Sequence, residues 1–306
     1  MIHQTPHTVV QIAEAAVAVA AGEADVEDAG VAVATNLPLS GSGIGWRPEL
    51  SASIASLPSL SFIEIIAESF WHCQQLPDPF KCLLNRGIEI VPHGISLGLA
   101  GADYPDRTHL KRLASLARLL EAPCVSEHVA FVRANGIESG HLLPVPRNKE
   151  TLAVLIENTK IAMDVLQRPL ALENIASRIE PPGSTMPEGD FFQELVDRTG
   201  CWVLLDLENL HAQGRSRQFN LNEQISKFPL QRIAYLHVAG GGEHHGEYHD
   251  THDQPVGDAT LAMLKALQTI NPSIAFCLER DSNWPCFQEL AAEMDRLRYY
   301  AMANLV

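Results

Sequence analysis

The sequence predicts an α/β protein, a single (β/α)8 TIM-like barrel with an N-terminal extension. Three observations predict it: eight short apolar runs, longer amphipathic segments between them, and a polar residue closing almost every run. The 306 residues are 46% hydrophobic, enough to bury a large core, and their number suits one such barrel. The expected division is an extension over residues 1–38 and a catalytic barrel over residues 39–306.

Residues 1–38 are rich in Ala and Val and contain no Lys or Arg, a composition suited to one loose helix and a linker. From Gly43 the repeat begins. The runs expected as strands are Ile44–Trp46, Phe62–Ala67, Glu89–Pro92, Cys124–Val132, Leu170–Glu173, Trp202–Leu207, Ile233–Val238 and Ile274–Leu278. Their continuous apolar character indicates burial on both faces, as in a parallel sheet covered by helices. Helical spacing marks Arg107–Leu120, where Leu110, Leu113, Leu116, Ala117 and Leu120 share one stripe, and also Glu150–Gln167 and Gln288–Tyr300. No GxGxxG follows an early strand, so a dinucleotide fold loses its main support.

Composition excludes several classes. A formal net charge of −15 is a poor match for nucleic-acid phosphates. The six cysteines form no CxxC pair, which speaks against a zinc ribbon or a disulfide scaffold and for reduced thiols in a cytoplasmic chain. The apolar stretch Ala15–Ala21 lacks a basic lead-in and is too short to span a bilayer, so no membrane segment is expected.

In such a barrel the C-terminal strand ends build the active site. Here they present Glu68, His93, Glu127 with His128, Glu173 with Asn174, Asp206, His237 and Glu279 in strand order. One polar strand end often means only a helix cap. Converging carboxylates, however, repel one another and lose hydration unless cations neutralise them. Mixed imidazole and carboxylate ligands suit iron, manganese or zinc, and there are too many for a single ion. The loop Gly240–Val256 adds four His and two Asp. His244 and His245 also fit a solvated glycine-rich loop; Asp250 and His252 are stronger candidates, since a short extended segment would aim both the same way. No GxSxG elbow exists, Ser69, Ser96 and Ser126 have no triad order, and Cys124 reads as core packing.

The runs Gly43-Ile-Gly-Trp-Arg47, His93-Gly-Ile-Ser-Leu97, Ser126-Glu-His-Val-Ala-Phe131, Leu172-Glu-Asn174, Leu205-Asp-Leu-Glu-Asn209, Leu236-His-Val-Ala-Gly240, Asp250-Thr-His-Asp253 and Leu278-Glu-Arg-Asp281 resemble the multinuclear non-haem iron-dependent oxidative enzymes (MNIO family). The resemblance implies a TIM-like barrel with two or three iron ions that uses O2 to modify a residue, cysteine foremost, in a ribosomally made precursor peptide. It also implies a partner protein that binds the peptide leader. Carried over by position, the metal ligands are His93, Glu127, His128, Glu173, Asp206, His237, Asp250, His252 and Glu279; Glu68, Ser96, Asn174 and Asn209 lie beside them as support or substrate contacts. Three positions depart from the family pattern: Gly241 where His is frequent, Glu208 where Asn is common, and Ser69 where Asn is usual. The rival readings are a divalent-metal isomerase or phosphodiesterase of the sugar-isomerase barrel class and a non-catalytic metal-binding partner protein.

Overall fold

The computed structural model describes residues 39–302, and the helix expected within residues 1–38 lies outside them. Its strands are β1 (Ser42–Gly45), β2 (Phe62–Ile66), β3 (Glu89–Gly94), β4 (Val125–His128), β5 (Phe131–Ala134), β6 (Ile137–Leu143), β7 (Leu170–Glu173), β8 (Trp202–Asp206), β9 (Ile233–Val238), β10 (Gly242–His244), β11 (Glu247–His249) and β12 (Ala275–Leu278). Eight of them close a barrel in the order β1-β12-β9-β8-β7-β4-β3-β2, every neighbouring pair parallel. The helices are α1 (Ser51–Ser56), α2 (Asp78–Asn85), α3 (Arg107–Leu119), α4 (Lys149–Leu166), α5 (Glu188–Thr199), α6 (Leu207–Arg217), α7 (Leu221–Ile225), α8 (Asp258–Ile270) and α9 (Phe287–Met302). No helix among the described residues is long and apolar enough to cross a membrane.

Two expectations about element boundaries change. The run expected as one strand over Cys124–Val132 breaks after His128, where the chain leaves the barrel and forms the antiparallel hairpin β5–β6. Its turn is Asn135-Gly136, both in the left-handed region (φ 50° and 75°), the pairing that favours a two-residue hairpin turn. Leu207, expected as the end of a strand, instead opens α6, because the Asp206 side chain accepts from Asn209 N and caps the helix.

Side-chain alternation sets the contents of the barrel. Val91, Cys124, Ala171, Leu204, Tyr235 and Cys277 belong to an inner apolar cluster. A strand turns every second side chain to the same face. Two residues beyond Val91, Ala171, Leu204, Tyr235 and Cys277 therefore come His93, Glu173, Asp206, His237 and Glu279, and four beyond Cys124 comes His128. All six sit at one end of the barrel, stacked on a dry plug.

Candidate metal centre at the barrel mouth

Glu173, the last residue of β7, lies at the middle. Its Oε2 is 3.5 Å from His93 Nε2 and 3.3 Å from His128 Nε2. Its Oε1 is 3.2 Å from His237 Nδ1, which is also 3.2 Å from Glu279 Oε2 and 3.8 Å from Asp206 Oδ2. Three ligand groups result: His93-His128-Glu173 and Glu173-Asp206-His237-Glu279 at the mouth, sharing Glu173, and Glu64-His237-Cys277 beneath them, sharing His237. Asp206 Oδ2 further lies 3.8 Å from His252 Nε2, itself 2.6 Å from Asp250 Oδ1. Glu173 Oε2 and Asp206 Oδ2 are buried without a hydrogen-bond partner, the condition of donor atoms prepared for a cation, while Asp250 and His252 hold each other.

Asn174 and Asn209 support this ring. Asn174 Oδ1 accepts from Asp206 N at 2.8 Å and its Nδ2 donates to Asp206 O at 3.0 Å, while Asn209 Nδ2 donates to Asn174 O at 3.0 Å. Asp206 thus spends Oδ1 on the α6 cap and keeps Oδ2 for the mouth. Glu68 Oε1 accepts from Ser96 Oγ at 2.7 Å and from Ile95 N at 2.9 Å.

Glu127 meets the ring only at its edge, Oε1 lying 3.5 Å from His128 Nδ1. It is one residue out of phase with His128, so it turns away from the barrel interior, where its oxygens accept from Leu97 N at 3.0 Å and His128 N at 2.8 Å. A methyl at Gly94 would come within 2.7 Å of it. His244 and His245 sit exposed on the hairpin β10–β11, away from the mouth.

Asp250 and His252 do meet, though not by extended alternation: His252 adopts a left-handed backbone, φ 49°, which folds its ring back onto Asp250. Two departures from the family pattern form one unit here. Glu208 Oε1 accepts from Gly241 N at 3.1 Å and Tyr248 Oη at 2.5 Å, and Oε2 accepts from Thr260 Oγ1 at 2.6 Å. A side chain at position 241 would strike His249 O at 2.3 Å and Glu208 Oε1 at 2.9 Å. Gly240 is as confined, a Cβ there falling 2.2 Å from Pro255 O. Gly240→Ala is expected to cost about 1–3 kcal/mol and to displace the loop, whereas Gly242→Ala meets only ordinary contacts and should melt like the parent; thermal denaturation of both variants checks this.

Residues not singled out beforehand complete the site. Glu64, mid-strand in β2, lies 3.0 Å from His237 Nε2 and accepts from Tyr235 Oη. Arg47 pairs with Asp281 at 2.6 Å and approaches Glu279 at 3.8 Å. Glu64 had a signal, a charge inside an apolar run, while Arg47 and Asp281 carried none beyond the family runs. A cavity of about 610 Å³ opens over the ring, with Ile66, Ile95, Leu142, Ile175 and Trp284 among its walls.

The electrostatics follow from this crowding. Burial opposes the charge on His237 and His252, yet the surrounding carboxylates hold both well above the usual histidine range, and Glu173 and Glu127 raise His128 to about 9. Burial pushes the Asp206 carboxyl well up, and Asp250 likewise. Burial also lifts the Cys277 thiol beneath the ring to about 12.

Residues 41–302 match the RiPP precursor modification enzymes MbnB/TglH/ChrH, where RiPP denotes a ribosomally made, post-translationally modified peptide. The chain belongs to this family. Among its relatives, a UPF0276 protein of Streptomyces avermitilis is 44% identical over 266 residues, covering 84% of the chain and 54% of that protein, so the chain spans about half of that relative's length. A UPF0276 protein of Caulobacter vibrioides is 33% identical, with 85% of the chain and 94% of that protein covered. A xylose isomerase domain containing protein from Salmonella typhimurium shares the fold (TM-score 0.59, 14% identity, 89% and 100% covered), as does endonuclease IV from Thermus thermophilus (TM-score 0.54, 17% identity, 86% and 98% covered). The family is described as modifying RiPP precursors, and the barrel mouth is where the ligand groups of this chain gather.

Proposed function

We propose that this chain is an iron- and O2-dependent enzyme that oxidatively modifies a residue, cysteine foremost, in a ribosomally made precursor peptide delivered by a leader-binding partner protein in the cytoplasm. The observation that carries it is Glu173, whose two oxygens face two different ligand groups, the arrangement that lets one carboxylate serve neighbouring cations. His93, His128 and Glu173 would hold one ion, Glu173, Asp206, His237 and Glu279 a second, and Asp206, Asp250 and His252 offer a third position. Glu127 is left out of this set because both of its oxygens accept backbone N–H groups. Bound iron supplies one-electron oxidation with O2 and acidifies a thiol that coordinates it.

The chain's own residues do the rest. The apolar walls around Ile95, Leu142 and Trp284 take an extended peptide and exclude water from its reacting side chain. Arg47, anchored by Asp281, fixes the rim beside Glu279.

Two measurements test the reading. Protein reconstituted anaerobically with Fe(II) is expected to carry two or three irons per chain, consume O2, and change the mass of a co-expressed Cys-bearing peptide. One tightly held zinc with no O2 uptake would instead favour the isomerase or phosphodiesterase reading, and tight metal binding without turnover a scaffold. The pH dependence has a fixed sign. His128, raised to about 9, is protonated near neutrality and must become neutral to ligate. Iron uptake at neutral pH should therefore release protons, and affinity should climb as pH rises toward 9; a pH-indicator titration in weak buffer reads both.

A further inference from the structure

We propose that Glu64 is a positioning residue common to two imidazoles of different ligand groups, reaching His237 directly and His93 through Tyr235 and Ser126. The inference rests on the reading of the mouth as a metal centre.

Glu64 is only 2% exposed, within the apolar run Phe62–Ile66, where an ionised carboxylate is costly without partners. Those partners are all on the inner face of the barrel. Tyr235 Oη touches Glu64 Oε2 and lies 2.8 Å from Ser126 Oγ, which lies 2.9 Å from His93 Nδ1. Tyr235 and Ser126 are fully buried, so these hydroxyls have no solvent alternative.

The direction of the protons follows from valence. A carboxylate only accepts, so the single tyrosine proton goes to Glu64, and the serine proton goes either to the tyrosine oxygen at 2.8 Å or to Glu64 Oε2 at 3.5 Å. Ser126 Oγ then accepts from His93 Nδ1–H, which leaves the Nε2 lone pair of His93 facing Glu173. On the other side Glu64 Oε1 lies 3.0 Å from His237 Nε2, close though off-line for a hydrogen bond, and it attracts the proton to that nitrogen. The Nδ1 lone pair of His237 is thereby directed at Glu173 and Glu279. One carboxylate selects both tautomers, the role that outer carboxylates play behind metal-bound histidines.

Anaerobic Co(II) titration of the full chain, followed by visible absorption with chelator competition, tests this; His93→Ala and His237→Ala identify which binding phase belongs to which group. Glu64→Gln is expected to weaken both phases by about 10–100-fold. Tyr235→Phe, which leaves only the 3.5 Å contact of Ser126 Oγ with Glu64 Oε2 on the path to His93, should weaken the His93 phase by about tenfold and leave the His237 phase as in the parent. Metal-free melting temperatures are read in parallel. Parental affinity in both phases for either variant, or equal weakening of both phases by Tyr235→Phe, overturns the assignment, and Tyr235→Phe decides the matter if Glu64→Gln does not fold. A parent chain that binds no cobalt defeats the metal reading and this inference with it, whereas a parent that binds normally beside unaffected variants defeats this inference alone.

Discussion

Glu173→Gln is expected to abolish turnover and to lower iron content from two or three ions to at most one. Among the described residues, Glu173 is the one that the two groups at the mouth share. The amide keeps the size of the side chain but loses the charge, and it offers one oxygen where two faced separate groups. Changes in outer partners alone typically cost 10–100-fold in metal affinity, and loss of a shared anionic ligand should exceed about 100-fold at each position. The metal-free variant should retain the parent's circular dichroism, since only one buried charge is removed from a cluster rich in acids. Elemental analysis and O2 uptake together decide it: full iron with normal turnover would remove Glu173 from the centre.

The second large effect contrasts two ends of the chain. Asp250→Ala with His252→Ala removes two buried side chains that pair with each other beside Asp206, and iron occupancy should fall by about one ion with a loss of activity of roughly 100-fold or more. Deletion of residues 1–38 should leave iron content unchanged, because the barrel closes between β1 and β12 without them. Iron analysis and circular dichroism of both variants check the contrast. A truncation that loses metal beside a double variant that keeps it would reverse both assignments.

Much of this architecture was legible because the barrel writes itself twice, once in apolar runs and again in the polar residues that end them. All eight runs correspond to barrel strands, and the ends of β3, β7, β8, β9 and β12 supply ring residues in the expected order. Counting strand ends ignores phase: Glu127 and His128 are adjacent and a strand aims only one of them inward, so Glu127 meets the ring through its 3.5 Å contact with His128. The hairpin β5–β6 was announced by Asn135-Gly136, a local turn signal overridden by the apolar run before it. Glu64 was missed because a ligand search at strand ends does not examine strand middles. The meeting of Asp250 with His252 was foreseen for a wrong reason, since a left-handed residue rather than strand alternation brings them together.

The clasp made by Glu208 bears on how fast an ion can leave, a matter separate from how tightly it is held. Affinity at Asp250 and His252 belongs to those side chains, but the segment that carries them is tied at Gly241 and Tyr248 to a carboxylate that also grips Thr260 on α8. Opening of the clasp would free that segment to lift Asp250 and His252 off an ion held there, so the lifetime of the clasp would act on the exchange rate where the ligands act on the equilibrium constant.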